Sequence, residues 1–167
     1  MKKMTQVYVG IGSNIDREAN IRRGIELLQK AFGPLTISPV YESPAIGFVG
    51  DNFYNLVVGF DTPLEPRALI QALHAIEFQC GRERDAPHFS SRTLDLDLLL
   101  YGDQVVHEGD LELPRRDILK YAFVLCPLAD IAGDRLYPVL GKPIKDLWQA
   151  FDQAAQPSLR RVEFPLK

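Results

Sequence analysis

Leucines at 94, 96 and 98 alternate with Asp95 and Asp97, and the run then turns wholly apolar through Leu99 and Leu100. This pattern predicts a strand entering the middle of a covered sheet, with no solvent side for its charges. Upstream, Gln6–Gly12 reads as a strand, and Gly12-Ser13-Asn14 turns it into a helix capped by Asp16. Ile21, Ile25, Leu28 and Phe32 keep helical spacing until Gly33-Pro34 stops them. Leu35–Tyr41 and Phe53–Phe60 are strand-like, and between them lies a breaker-rich stretch from Ser43 to Asn52. Pro63–Cys80 predicts a second helix, with Pro66 in its first turn, a stripe of Leu69, Leu73, Ile76 and Cys80, and Gly81 at its end.

Strand, helix, strand, strand, helix, strand is the split βαβ order. It predicts an α+β, ferredoxin-like βαββαβ sandwich, an antiparallel sheet with both helices on one face and the carboxylate strand at its centre. Gln104-Val105-Val106 and later C-terminal pieces extend it, while the tail after Asp152 is expected to be peripheral. The same topology serves many RNA-binding modules, so topology alone names no function. An RNA reader needs an aromatic recognition strand and a basic sheet face, and the candidate strand here carries leucines and aspartates.

Composition sharpens this reading. At 167 residues, 46% hydrophobic and 25% charged, the chain is expected to form one domain, 1–167. A net charge of −3 and a pI near 5.6 argue against nucleic-acid or anionic-membrane partners. Two cysteines, Cys80 and Cys126, with no signal-like N-terminus and no apolar run of spanning length, predict the cytoplasm.

Side chains two apart on a strand share a face, so Asp95 and Asp97 hold their carboxylates roughly 6–7 Å apart. Oxygen ligands at that spacing suit one or two bridging Mg²⁺ ions; the plainer alternative is two aspartates on a solvated edge strand. Arg82, Arg84 and Arg92 lie within eleven residues on the polar connection before them, and guanidinium groups clamp phosphate oxygens bidentately. Arg84 is the weakest of the three, since a solvated loop charge is the usual state of such a residue. Gly10 and Gly12 suggest a phosphate loop, but no Gly-Lys-Ser/Thr follows and the third glycine of a dinucleotide fingerprint is missing. A tight strand-to-helix turn is the better account.

Arg92-Thr93-Leu94-Asp95-Leu96-Asp97, with Gly81-Arg82-Glu83-Arg84 before it and Leu125-Cys126-Pro127-Leu128 after it, resembles the hydroxymethyldihydropterin pyrophosphokinase family of the folate pathway. The resemblance runs from about Val7 to Trp148. It implies transfer of pyrophosphate from ATP to the hydroxymethyl group of a reduced pterin, with in-line attack on the β-phosphorus, AMP as leaving group and two Mg²⁺ ions. Asp95 and Asp97 would hold the metal, and Arg82 and Arg92 would be catalytic. Ser43, Pro44, Ile46 and Asn55 would bind the pterin, sandwiched between Phe53 and Phe123. His74, Glu77, Arg84, Leu98, Arg115 and Arg116 would meet the nucleotide. Taken singly, Phe53 is more often a core residue and Asn55 a ladder satisfier.

The chain departs from the family at three places. Arg115 stands for His, Tyr121 for Arg and Ser90 for Gly. Tyr121 removes a cation near the phosphates, which predicts weakened ATP binding. The departures also leave open a paralogue that binds nucleotide or pterin without turnover, or that accepts a modified pterin. The chain is expected to work as a monomer on small-molecule substrates.

Overall fold

The computed structural model describes residues 3–45, 50–81, 93–151 and 159–164. Along the first half run β1 (Thr5–Ser13), α1 (Arg17–Phe32), β2 (Thr36–Ile37), β3 (Val40–Ser43), β4 (Phe53–Thr62), α2 (Pro66–Gln79) and β5 (Asp95–Tyr101). Then follow β6 (Val106–Glu108), β7 (Leu111–Leu113), α3 (Asp117–Lys120), α4 (Ala122–Ala132), β8 (Leu136–Tyr137), β9 (Lys142–Pro143), α5 (Ile144–Ala150) and β10 (Arg160–Val162). The βαββαβ order is therefore as expected.

Helix α1 buries Ile21, Ile25 and Leu28 and ends at Gly33, whose φ of 86° an L side chain would resist. Asp16 occupies the cap position, but its backbone is left-handed and its side chain makes no cap bond, so the expected carboxylate cap is absent. Pro66 opens α2. The single strand expected over Leu35–Tyr41 is broken in two at Ser38-Pro39. Proline has no N–H for the ladder, and Ser38 compensates by accepting the Val57 N–H on its hydroxyl at 2.9 Å while donating its own N–H to the Val57 carbonyl.

The main sheet runs β10-β3-β4-β1-β5, with β2 also on β4, and every pairing is antiparallel. Strand β5 is thus an edge strand and not the centre of the sheet. With β4 on one side of β1, the last strand of this topology has only the other side of β1 to pair with. Its apolar residues are buried by layers on both faces. Leu94, Leu96 and Leu98 join the core under α1 and α2, while Leu99 and Leu100 join a second core with Leu125, Leu128 and Ile144 of α4 and α5. A bulge makes this possible. Tyr8 faces Leu100 and Val9 faces Leu98, so Leu99 is the extra residue and the two neighbours Leu99 and Leu100 both serve the second core.

The outward edge of β5 is blunted by its surroundings. Glu77 accepts the Leu96 N–H at 2.6 Å, and Arg115 N donates to the Leu99 carbonyl at 2.9 Å. Val106 does not extend the main sheet; it starts a separate β6–β7 hairpin. The tail expected to be peripheral instead supplies β10, which pairs with β3.

Candidate active site

Register places the neutral and the acidic candidates in rows on one sheet face. Tyr41 is opposite Asn55, Asn55 opposite Gly12, and Gly12 opposite Asp95; in the next row Val57, Gly10 and Asp97 align. Residues paired this way share a face. Asn55 and Asp95 are therefore two strand spacings apart, roughly 10 Å, with glycine alone between them. This explains Gly12 better than a phosphate loop or a plain turn does. A Cβ on Gly12 would lie 3.0 Å from Asn55 Oδ1. Gly12 thus leaves the row between Asn55 and Asp95 without a side chain of its own, whereas the face of Gly10 is covered by Leu99, 3.5 Å from where a Cβ would stand.

At the neutral end the groups satisfy one another. Asn55 and Ser43 are buried, and Asn55 Nδ2 donates to Ser43 Oγ at 2.7 Å, which fixes the amide with Oδ1 toward Gly12. Phe53 and Pro44 are half-buried beside them. Phe123 is the second residue of α4, and its ring stacks on that of Tyr121 at 5.0 Å and 22°. Tyr121 is 8% exposed. The residue expected to have withdrawn a cation from the phosphates thus supports Phe123 from behind.

The acidic end brings two carboxyls into contact. The Asp97 carboxyl is held well above the usual carboxylate range, first by burial, then by the charge of Asp95, with which it shares a hydrogen bond; Glu77 adds to this and Arg115 opposes it. Burial and a neighbouring carboxylate both disfavour the charged form of Asp97, and a bound cation would relieve both. Among the described residues, the cation that reaches Asp97 is Arg115. Its Nε donates to Asp117 Oδ2 at 3.1 Å and its Nη2 lies 3.6 Å from Asp97 Oδ1. Among the described residues no group of three or more His, Cys, Asp or Glu forms a metal nest. A pair of oxygen donors leaves the other coordination positions to water and phosphate oxygens, as Mg²⁺ prefers.

Beside this pair opens a cavity of about 390 Å³ lined by His74, Asp97, Leu98 and Arg115, together with Arg67, Gln71 and Leu113. Three of the expected nucleotide residues therefore meet there with one of the expected metal ligands. Two do not. Arg116 is 78% exposed on its side chain and pairs with Glu112 at 3.0 Å, and Glu77 is buried on the Leu96 N–H. Arg82, Arg84, Ser90, Arg92 and Ile46 lie outside the described residues.

Arg67 escaped the sequence reading, although Arg67, Gln71 and His74 repeat at i, i+4 and i+7 on the exposed side of α2. Ser13, Asn14 and Arg17 escaped it too. Ser13 Oγ donates to the Thr93 carbonyl at 2.6 Å, Asn14 Nδ2 to the Asp51 carbonyl at 3.0 Å, and Arg17 to the Asn52 carbonyl at 3.0 Å and Glu42 at 2.7 Å. The turn after β1 thereby ties the flanks of both neighbouring connections. Only spatial proximity reveals that role.

An α+β sandwich of this order, with hydrogen-bonding groups and a carboxylate pair on one face, defines a small-molecule site on a ferredoxin-like domain. Comparison then narrows the class. The model of 7,8-dihydro-6-hydroxymethylpterin-pyrophosphokinase matches residues 8–133. The 2-amino-4-hydroxy-6-hydroxymethyldihydropteridine pyrophosphokinase of Aquifex aeolicus is 36% identical over 145 residues, 86% of this chain and 90% of that one. Its Pseudomonas aeruginosa counterpart is 41% identical over 140 residues, 80% and 84% of the two chains. A crystal structure of Plasmodium falciparum HPPK-DHPS with pteroate matches the fold at a TM-score of 0.74 and 14% identity, over 90% of this chain but 43% of that longer one. The chain belongs to the 7,8-dihydro-6-hydroxymethylpterin-pyrophosphokinase family. Its activity is accordingly pyrophosphoryl transfer to hydroxymethyldihydropterin in folate biosynthesis, with ATP as co-substrate.

Proposed function

We propose that the sheet face carrying Asn55, Gly12, Gly10, Asp95 and Asp97 is where this transfer takes place, with pterin at the Asn55 end and the nucleotide in the cavity at the Asp97 end. The observation that carries this is the row in which Gly12 alone separates a fixed amide, Asn55, from the carboxylate of Asp95 on the same sheet face. Asn55 offers donor and acceptor to the polar edge of the ring, alongside Ser43, Pro44 and Ile46, and Phe53 and Phe123 stack on its faces. His74, Leu98 and Arg115 border the nucleotide, with Arg84 from the preceding connection. Glu77 serves through Leu96, holding the edge strand in place, and Arg116 has an ion pair of its own.

Asp95 and Asp97 would hold the two Mg²⁺ ions. Bound there, magnesium supplies charge neutralisation at the phosphate oxygens. Arg82 and Arg92 offset charge that grows on the phosphates as the bond to AMP breaks and the hydroxymethyl oxygen bonds to the β-phosphorus. No described residue sits as an evident general base; orientation of the alcohol by the pterin end does that work. The whole chain, 1–167, acts as one domain and one monomer in the cytoplasm.

Incubation of the protein with hydroxymethyldihydropterin and Mg²⁺–ATP tests this. AMP and pterin pyrophosphate are expected in equal amounts. Release of ADP, or no AMP at saturating substrates, overturns the reading.

A further inference from the structure

Among the described residues Arg115 forms an ion pair with Asp97, and it also lines the cavity beside the acidic pair. The backbone N–H of Arg115 donates to the Leu99 carbonyl of β5 at 2.9 Å, which sets the residue beside the acidic strand, while its side-chain Nε donates to Asp117 at 3.1 Å, away from the pair. Its Nη2 then reaches Asp97 only at 3.6 Å, an ion pair longer than a good hydrogen bond. About a third of each side chain stays accessible, 35% of Arg115 and 32% of Asp97. The guanidinium is thus tethered, half-wet and committed to Asp97 by charge more than by geometry.

We infer that Arg115 is a transferable counter-ion: it screens Asp97 while the site is empty and swings to the polyphosphate when nucleotide enters, which makes tight metal binding conditional on nucleotide. This rests on the metal role proposed for Asp95 and Asp97. The physics is competition. A divalent cation and the guanidinium both draw on the negative charge of Asp97, so each weakens the other's hold. A polyphosphate offers the guanidinium bidentate oxygens and relieves that competition. Asp117 sets the range of the swing, because its bond to Nε keeps the Nη groups between pair and cavity. A neutral or shorter side chain at position 115 would leave metal binding and nucleotide binding more nearly independent.

The test is direct titration of Mn²⁺ by electron paramagnetic resonance, with and without a non-hydrolysable ATP analogue, on wild type, Arg115→Gln and Asp117→Asn. Folding of each is checked by near-ultraviolet circular dichroism. Wild type should bind Mn²⁺ weakly alone and much more tightly with the analogue. Arg115→Gln should bind Mn²⁺ alone about three- to tenfold more tightly, the strength of a half-exposed ion pair, and should lose a similar factor of nucleotide enhancement. Asp117→Asn removes the charge that holds Nε, which lets the guanidinium close further on Asp97, and should shift metal-alone affinity the other way. Unchanged or weaker metal-alone binding in folded Arg115→Gln overturns the inference, as does a shift of the same sign in both variants. Should wild type bind no Mn²⁺ even with the analogue, the metal role of the aspartates fails first, and the counter-ion role with it.

Discussion

At the β3–β4 end of the sheet face, a hydrogen bond to Ser43 fixes the amide of Asn55, and the ring of Phe123 is backed by that of Tyr121. At the β5 end, Asp95 and Asp97 press two carboxyls together and lean on an arginine that is bonded elsewhere. On the proposed placement, the pterin would meet an end already ordered, and the metal-borne nucleotide an end whose charge it would offset. A neutral, flat substrate is served by a rigid template, because each buried polar group left unpaired would cost about 1–3 kcal/mol. Binding a charged, metal-borne substrate works by the opposite route, since its arrival removes a repulsion already present.

The largest expected effect comes from the acidic end. Asp95→Ala or Asp97→Ala should cut turnover by about a hundred- to a thousandfold or more, while the metal-free protein melts no lower than wild type. A clear loss of melting temperature in the metal-free state would break the contrast. The same end predicts a pH dependence. Because folding raises the Asp97 carboxyl, its contribution to stability is full below the ordinary value of 3.8 and is lost as pH climbs through the higher folded value. Metal-free wild type should therefore lose stability over that rise, and Asp97→Asn should flatten the profile.

Next comes the row between the two ends. Gly12→Ala puts a methyl 3.0 Å from Asn55 Oδ1 and should weaken pterin binding by about 1–3 kcal/mol through the displaced amide, with nucleotide binding little changed. Pterin titration followed by ring fluorescence reads this directly; equal loss of both ligands would mean the two ends are not separate.

A smaller effect is expected behind Phe123. Tyr121→Leu removes the stacked ring and should raise the pterin KM by an amount worth about 0.5–1.5 kcal/mol. Tyr121→Arg should fare worse, since it places a guanidinium where the ring is 8% exposed, and should not tighten ATP. Tighter ATP binding in that variant would return position 121 to the nucleotide end. The smallest effect belongs to Arg116→Ala. Its exposed pair with Glu112 is worth less than about 1 kcal/mol, and steady-state constants for both substrates should stay within about twofold. A tenfold rise in the ATP KM would show that Arg116 leaves Glu112 for the nucleotide.

The sequence by itself determined the order βαββαβ, the two amphipathic helices, the shared face of Asp95 and Asp97 and, through the run from Arg92 to Asp97, the family. Each of these is a local periodicity or a local spelling, carried by residues within a few positions of one another. Other features are non-local and were decided only by tertiary structure. The carboxylate strand looked central because it is apolar on both sides, yet burial by two helical layers leaves the same hydrophobic pattern as two strand neighbours would. Gly10 and Gly12 looked like a turn until β1 was aligned between Asn55 and the aspartates. The stacking of Tyr121 on Phe123 and the bond from the Leu96 N–H to Glu77 had no trace in the sequence reading of either residue. Pairing register, a bulge of one residue and the packing of α4 set those contacts, and none of the three leaves a mark in the spacing of residues along the chain.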